Sequence, residues 1–316
     1  MSVSESKRPV APVIAVSDAS KSVATGLLLA VLGAIAFSGK AIIVKLAYSY
    51  GVDAVTLIMF RMLFALPVFL FMGWWAGRGK PALSRRQWAW VAGLGFCGYY
   101  LSSYLDFLGL QYVSASLERL ILYLNPTLVL LLGWLLYGRR VSGRQALAMA
   151  VSYSGIALVF SHELALAGPQ SALGTLLCLA SAALYALYLV FSGELVKQLG
   201  SMRLVGLASS VACICCIAQF LLMRPLDAAL VPAPVLWLSV LNAIVCTVVP
   251  VLLVMMAVER VGAGITAQTG MVGPLSTLMM GVLILGEPLN LWIGAGTALV
   301  LGGVYLVSRT ARPQGQ

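Results

Sequence analysis

The stretch VSASLERLILYLNPTLVLLLGWLLYG, residues 113–138, returns 148 residues later as VGAGITAQTGMVGPLSTLMMGVLILG, residues 261–286. Val113, Ala115, Pro126, Leu130, Gly133, Leu135 and Gly138 recur as Val261, Ala263, Pro274, Leu278, Gly281, Leu283 and Gly286, seven identities in 26 aligned positions. Apolar composition inflates chance matches, so the proline and the glycines carry the weight. The register extends both ways, since Gly26 falls on Gly174 and Gly155 on Gly303. Each copy holds five apolar segments of membrane length, and an odd number of crossings cannot keep its orientation. Two such halves lie upside down relative to one another, with one central region between two ends that can close in turn.

Outward from that repeat, the composition agrees. The chain has 316 residues, 61% hydrophobic and 9% charged, whereas soluble domains carry about 25% charged residues. Uncharged runs such as 204–223, 228–258, 261–286 and 288–308 meet the roughly 20 residues needed to cross the hydrocarbon core. Backbone groups in lipid must be satisfied within the segment, so the runs are helices. The predicted spans are 23–46, 54–76, 87–110, 114–137, 143–160, 172–195, 203–223, 234–257, 263–285 and 290–308. The fold class is therefore an all-α integral membrane protein, ten transmembrane helices in two inverted five-helix repeats, 23–160 and 172–308. Residues 1–22 read as a disordered cytoplasmic tail rather than a signal peptide, and 309–316 as a cytoplasmic C-terminal tail. Short loops leave no room for a soluble domain, so the function lies inside the bundle.

The net charge of +10 is topology rather than a nucleic-acid footprint. With a cytoplasmic N-terminus, 15 of the 20 Lys and Arg residues fall in cytoplasmic segments, among them Arg85, Arg86, Arg139, Arg140 and Arg203, against Arg224 alone on the other side. The positive-inside rule then places both termini in the cytoplasm. The six cysteines all lie in helix spans without metal-ligand spacing and read as buried small apolar residues.

Charges inside spans are costly, and five of them, from four helices, share one layer. At about 1.5 Å per residue, Lys40 rises about 25 Å along the first helix. Asp106 reaches a similar height on the third, and Arg61, Glu118 and Arg119 lie near the outer ends of the second and fourth. Their counterparts in the second half are Tyr188, Ser209, Val254, Thr266 and Ala267, all neutral. The expectation is an outer gate of ion pairs, Lys40, Arg61 or Arg119 with Asp106 or Glu118, and an inner mouth closed by small and aromatic residues. For Glu118 and Lys45, snorkelling to the outer interface reads equally well.

Several stripes can line a central cavity. On the sixth helix Ser181, Tyr185, Tyr188 and Ser192 share one face, and their mates Gly33, Phe37, Lys40 and Val44 share the corresponding face of the first. Arg119, Tyr123 and Pro126 on the fourth match Ala267, Met271 and Pro274 on the ninth, and the third adds Tyr99, Ser103 and Asp106. Rings with a few hydroxyls suit small amphipathic metabolites, and equally suit ordinary helix packing. Asn242 and Gln268 are intramembrane amides, read as ligand contacts or interhelical hydrogen bonds. Pro126 and Pro274 occupy equivalent positions and are the candidate hinges.

Asn125-Pro126 followed by Gly133 and Gly138, and Gly273-Pro274 followed by Gly281 and Gly286-Glu287-Pro288, make the chain resemble the EamA-type branch of the drug/metabolite transporter superfamily over residues 23–308. The resemblance implies a bacterial inner-membrane secondary carrier, usually an exporter of amino acids or similar small metabolites, working by alternating access. It also implies a cavity drawn mainly from the first, third, fourth, sixth, eighth and ninth helices. The alternatives are a drug or cation exporter of the same fold, a channel, or a membrane sensor. One departure stands out: the Gly-Glu common at the fourth-helix end in that family is Gly138-Arg139 here.

No catalytic set, metal cluster or phosphate-binding loop can be assembled, so no cofactor and no enzyme activity are expected. The single histidine, His162, is placed in a short outer loop beside Glu163. Asp106 and Glu118 are the candidate proton acceptors should transport be proton-coupled. Three cations against two carboxylates in the outer layer would tolerate an anionic group better than a further cation.

Overall fold

The computed structural model describes the backbone of residues 13–138 and 141–310; the side chains of 13–22, 166, 167, 194, 259, 262–264, 267, 268 and 307–310 lie outside the description. Among the described residues ten long helical segments follow one another, with a short 3-10 turn at Leu226–Ala229. They are α1 (Val13–Tyr48), α2 (Ala54–Gly77), α3 (Arg85–Leu94, a π turn Gly95–Leu101, then Ser102–Gly109) and α4 (Ala115–Leu122 and Asn125–Tyr137). Next come α5 (Gly143–Ala167), α6 (Pro169–Leu199) and α7 (Ser201–Met223). The last are α8 (Ala233–Ala243, a π turn Ile244–Val248, then Val249–Thr269), α9 (Val272–Met280 with a π turn Gly281–Leu285) and α10 (Leu291–Thr310). Seven stretches within these are long and apolar enough to cross a membrane.

Local chemistry sets the boundaries. Asp53, Ser84, Ser114 and Ser142 are N-caps, and Ser84 with Gln87 and Ser142 with Gln145 form capping boxes. Gly138 and Gly286, identical in the two repeats, both end their helices in the left-handed region at φ 61° and 69°, a conformation that any side chain would strain. The repeated prolines break the helices one turn upstream. Pro126 cannot donate to the Leu122 carbonyl, which instead accepts Asn125 Nδ2 at 2.6 Å. Pro274 likewise removes the i+4 donor of the Gly270 carbonyl, which accepts the Gly273 N–H at 2.9 Å and the Tyr123 hydroxyl of the opposite repeat.

Three expectations need correction. Helix α1 starts at Val13, ten residues before 23, so the tail expected to be disordered through 22 is helical from there; polar residues such as Ser17, Asp18 and Lys21 hide a helix from a hydropathy reading. The loop expected between the halves shrinks to Gly168, and His162 and Glu163 stand inside α5. Helical backbone also continues through 258–262, where the first half has a loop at 110–114. The chain still reverses near that stretch, because Cys246, Val254 and Val261 lie in turn against Gly39, Gly33 and Gly26 of α1, and Gly273 then lies back against Ser38.

Helices equivalent in the repeat touch one another and run antiparallel where they do. Along α2 and α7, Gly73 meets Gly206 at one end, Met62 meets Cys213 in the middle at 3.7 Å between sulfurs, and Asp53 pairs with Arg224 at the other end at 3.1 Å. Along α5 and α10, Gly303 lies on Ala148 and Ser152 while Gly296 lies on Gly155 and Val159. Glycines let these backbones approach, the usual device where lipid offers no hydrophobic drive for association. A methyl group on Gly303 would sit 2.6 Å from the Ala148 carbonyl oxygen, whereas one on Gly302 would meet open space. Gly303→Val is therefore expected to lower stability by about 1–3 kcal/mol, with Gly302→Val as the control; equal thermal unfolding midpoints would contradict this packing.

Candidate functional site

The repeated motif stretches cross near the middle of the bundle, also antiparallel. Ser116 of α4 lies by Gly281 and Glu287, Arg119 by Gly273, and Tyr123 by Gly270. Next to this crossing α1 brings Phe37, Ser38 and Lys40, and α3 brings Asp106.

Lys40 Nζ lies 2.5 Å from Asp106 Oδ2 in a hydrogen-bonded ion pair, and 3.0 Å from Glu118 Oε1 without hydrogen-bond alignment. The three side chains are 6%, 2% and 0% exposed, so water screens none of these interactions. Both carboxylates thus lie against the same ammonium, close enough to repel each other. One ammonium thus ties α1 to α3 and α4 through two carboxylates.

Of the three cations expected at the gate, Lys40 meets the carboxylates, and the two arginines bond hydroxyl groups among the described residues. Arg61 Nε donates to Thr247 Oγ1 at 2.9 Å, and Thr247 donates to the Asn242 carbonyl at 2.9 Å, so Arg61 ties α2 to α8. Its guanidinium also covers the Phe107 ring at 5.2 Å. Arg119 Nη2 donates to Ser38 Oγ at 3.0 Å, and Ser38 Oγ lies 2.8 Å from the Gly273 carbonyl; the guanidinium stacks over Phe37 at 4.9 Å. Arg119 therefore joins α1, α4 and α9. The partners Thr247 and Ser38 are neutral hydroxyls, and composition gives no signal that singles them out. Thr247 is presented by the π turn of α8, whose counterpart in α3 carries Tyr99; such turns recur at functional positions.

Several buried polar atoms have no protein partner among the described residues: Arg61 Nη1, Arg119 Nε, both amide atoms of Asn242, Asp106 Oδ1 and Glu118 Oε2. Buried polar groups are normally paired; Asn125 Oδ1 and side-chain oxygens of Ser171, Thr175, Ser209, Gln219 and Ser239 likewise have no partner among the described residues.

On the α3–α6 interface the tyrosines do come together. Tyr99 meets Tyr188 edge-on at 4.8 Å with hydroxyls 3.3 Å apart, Tyr185 stacks on Tyr188 at 5.7 Å, and Ser102 bonds Ser181 at 3.1 Å. Gly98 makes room for the Tyr188 ring. Phe37 is partly exposed and Ser103 and Met271 are half-buried, while the Gln268 side chain lies outside the described residues. Outside the bundle, Asp53 accepts from Val55 N, Thr56 N and Thr56 Oγ1 as well as Arg224. Burial pulls its carboxyl up, and these donors together hold it below the ordinary range.

The fold and site define a multi-pass membrane protein in two duplicated halves, with its polar chemistry confined between the helices. The EamA-like transporter family profile matches residues 24–161 and 172–309, one match per repeat. The chain belongs to that family, a transporter family and not an enzyme family. It is 32% identical over 304 residues to the uncharacterized transporter YcbK of Bacillus subtilis, covering 91% of this chain and 92% of that protein. It is 24% identical over 291 residues to an uncharacterized transporter of Archaeoglobus fulgidus, covering 90% and 97%. A solved crystal structure matches with a TM-score of 0.59 and 21% identity over 93% of this chain and 99% of the other, a likeness of fold.

Proposed function

We propose that the protein is a secondary transporter whose halves, five membrane-crossing helices each, lie inverted in the bacterial inner membrane with both termini cytoplasmic, and that it exports amino acids or similar small metabolites by alternating access. The observation that carries this reading is the antiparallel packing of repeat-equivalent helices, α2 on α7 and α5 on α10, about a crossing of the two motif stretches that holds the buried polar layer. Opposed halves of this kind can rock about a shared centre, which is what alternating access needs.

Two features support a zwitterionic substrate over a drug-like cation. Donors without partners on Arg61, Arg119 and Asn242 suit a carboxylate, and acceptors without partners on Asp106 and Glu118 suit an ammonium group. Phe37 and the Tyr99, Tyr185 and Tyr188 cluster supply apolar contact beside them. Glu118 is the better-placed proton acceptor of the two carboxylates. It is fully buried, lies against the same ammonium as Asp106, and is the less well aligned partner of Lys40, so a proton there removes like-charge repulsion while leaving the Lys40–Asp106 bond intact.

Counterflow in liposomes tests the reading. Trans-stimulation by internal amino acids is expected, and uptake indifferent to internal substrate would point to a channel. Mass-spectrometric profiling of medium from overexpressing and deletion strains selects the substrate, with organic cations as the competing outcome. An imposed pH gradient tests coupling, and a rate that ignores the gradient rules it out.

A further inference from the structure

We infer that Glu287 is a positioning residue that latches one mouth of the pathway shut. The inference rests on the inverted, alternating-access reading above. Glu287 follows α9, yet its carboxylate is bonded to the start of α4: Oε1 accepts Ala115 N at 2.7 Å, and Oε2 accepts Ser116 Oγ at 2.6 Å and Ser116 N at 3.3 Å. The preceding residue of α4 is held in the same way, since Ser114 donates through its hydroxyl and its N–H to Glu163 of α5. Lys45 stands within electrostatic reach of both carboxylates. A charged acceptor on free N–H groups at the positive end of a helix is a strong, directional tie. This tie fixes the turn that carries Glu118 against Lys40, and so joins α9 and α5 to the Lys40–Asp106–Glu118 closure.

The repeat-equivalent positions carry different residues. At an offset of 148, Glu287 falls on Arg139, Ser114 on Gly262, Ser116 on Gly264, Glu163 on Ala311 and Lys45 on Gly193. A guanidinium has no acceptor for an N–H group, and glycine has no hydroxyl. None of these residue types recurs at its repeat-equivalent position, and the sequence also replaces the ion triad there with neutral residues. The departure Gly138-Arg139 acquires a physical meaning: the substrate-free carrier rests closed at the Glu287 end and opens at the other, which in the proposed orientation faces the cytoplasm and loads substrate for export.

The test places a single cysteine at Ser103 in a cysteine-free background and follows its reaction with a membrane-impermeant maleimide, in right-side-out and in inverted vesicles. Glu287→Gln is expected to raise labelling from the face on which the Glu287 end opens by about tenfold or more, corresponding to at least about 1.4 kcal/mol, and to lower it from the other. Arg139→Glu with Gly264→Ser, which installs the latch residues at the equivalent positions, is expected to shift labelling in the same direction. Which vesicle type shows the rise reports the orientation, so a reversed topology is distinguished from a failed latch. Labelling of folded Glu287→Gln at the parent rate from both faces overturns the inference; should that variant not accumulate, parental labelling of the Arg139→Glu, Gly264→Ser variant overturns it instead.

Discussion

Lys40→Met is expected to abolish transport and to lower stability by about 3–5 kcal/mol. The substitution keeps the apolar stem but leaves Asp106 and Glu118 as two buried carboxylates close together with no cation between them. Removing one member of a buried ionic set costs more than the set contributes, because the remaining charges have lost both water and partner. The companion variant Lys40→Met, Asp106→Asn, Glu118→Gln removes all three charges and should recover thermal stability to within about 1–2 kcal/mol of the parent, since neutral replacements of buried ion clusters are often tolerated. Transport should stay lost in it, because the closure can no longer be made and broken by charge. Retained transport in Lys40→Met would end the gate reading, and recovered transport in the triple variant would reduce the cluster to a structural tie.

The difference between what sequence and structure supply follows from the kind of signal each residue leaves. Charges in apolar spans are so costly that a rise of about 1.5 Å per residue alone puts Lys40, Asp106 and Glu118 in one layer, and the structure joins all three. Pro126, Pro274, Gly138 and Gly286 are legible for a similar reason: each changes what the backbone can do, and each pair recurs at the same offset. Hydroxyl partners leave no such mark. Ser38 and Thr247 are two among many small polar residues in helices, and only the crossing of the halves shows that they receive Arg119 and Arg61. The π turns of α3, α8 and α9 were equally hidden, since one extra residue in a turn is a response to packing rather than to local composition. Glu163 was misplaced because His162 and Glu163 ahead of Gly168-Pro169 look like a loop by polarity; inside α5 the glutamate instead finds Ser114. Glu287 was legible only as part of a motif, and its role comes from a contact 172 residues away in sequence.

The second large effect is expected at Arg119. Its guanidinium stands in three relations at once: Nη2 holds Ser38 Oγ, the plane covers Phe37, and Nε is buried with no protein partner among the described residues. Lysine keeps the charge but offers neither a flat face nor a forked donor set, so Arg119→Lys is a severe change here rather than a conservative one. A hydrogen bond to a charged group contributes about 1.5–3 kcal/mol, so the apparent affinity for a zwitterionic substrate is expected to fall by about tenfold to a hundredfold. Ser38→Ala removes one of the three interactions and should have the smaller effect. If Nε receives the substrate carboxylate, the loss in Arg119→Lys is confined to substrates that carry one, and amino-acid amides lacking the carboxylate are handled alike by parent and variant. If Arg119 only braces α1, α4 and α9, the amides lose as much as the acids. Counterflow rates for one amino acid and its amide, in parent and Arg119→Lys proteoliposomes at matched protein content, separate the two, and an equal loss for both substrates removes Arg119 from the binding site while leaving it in the scaffold.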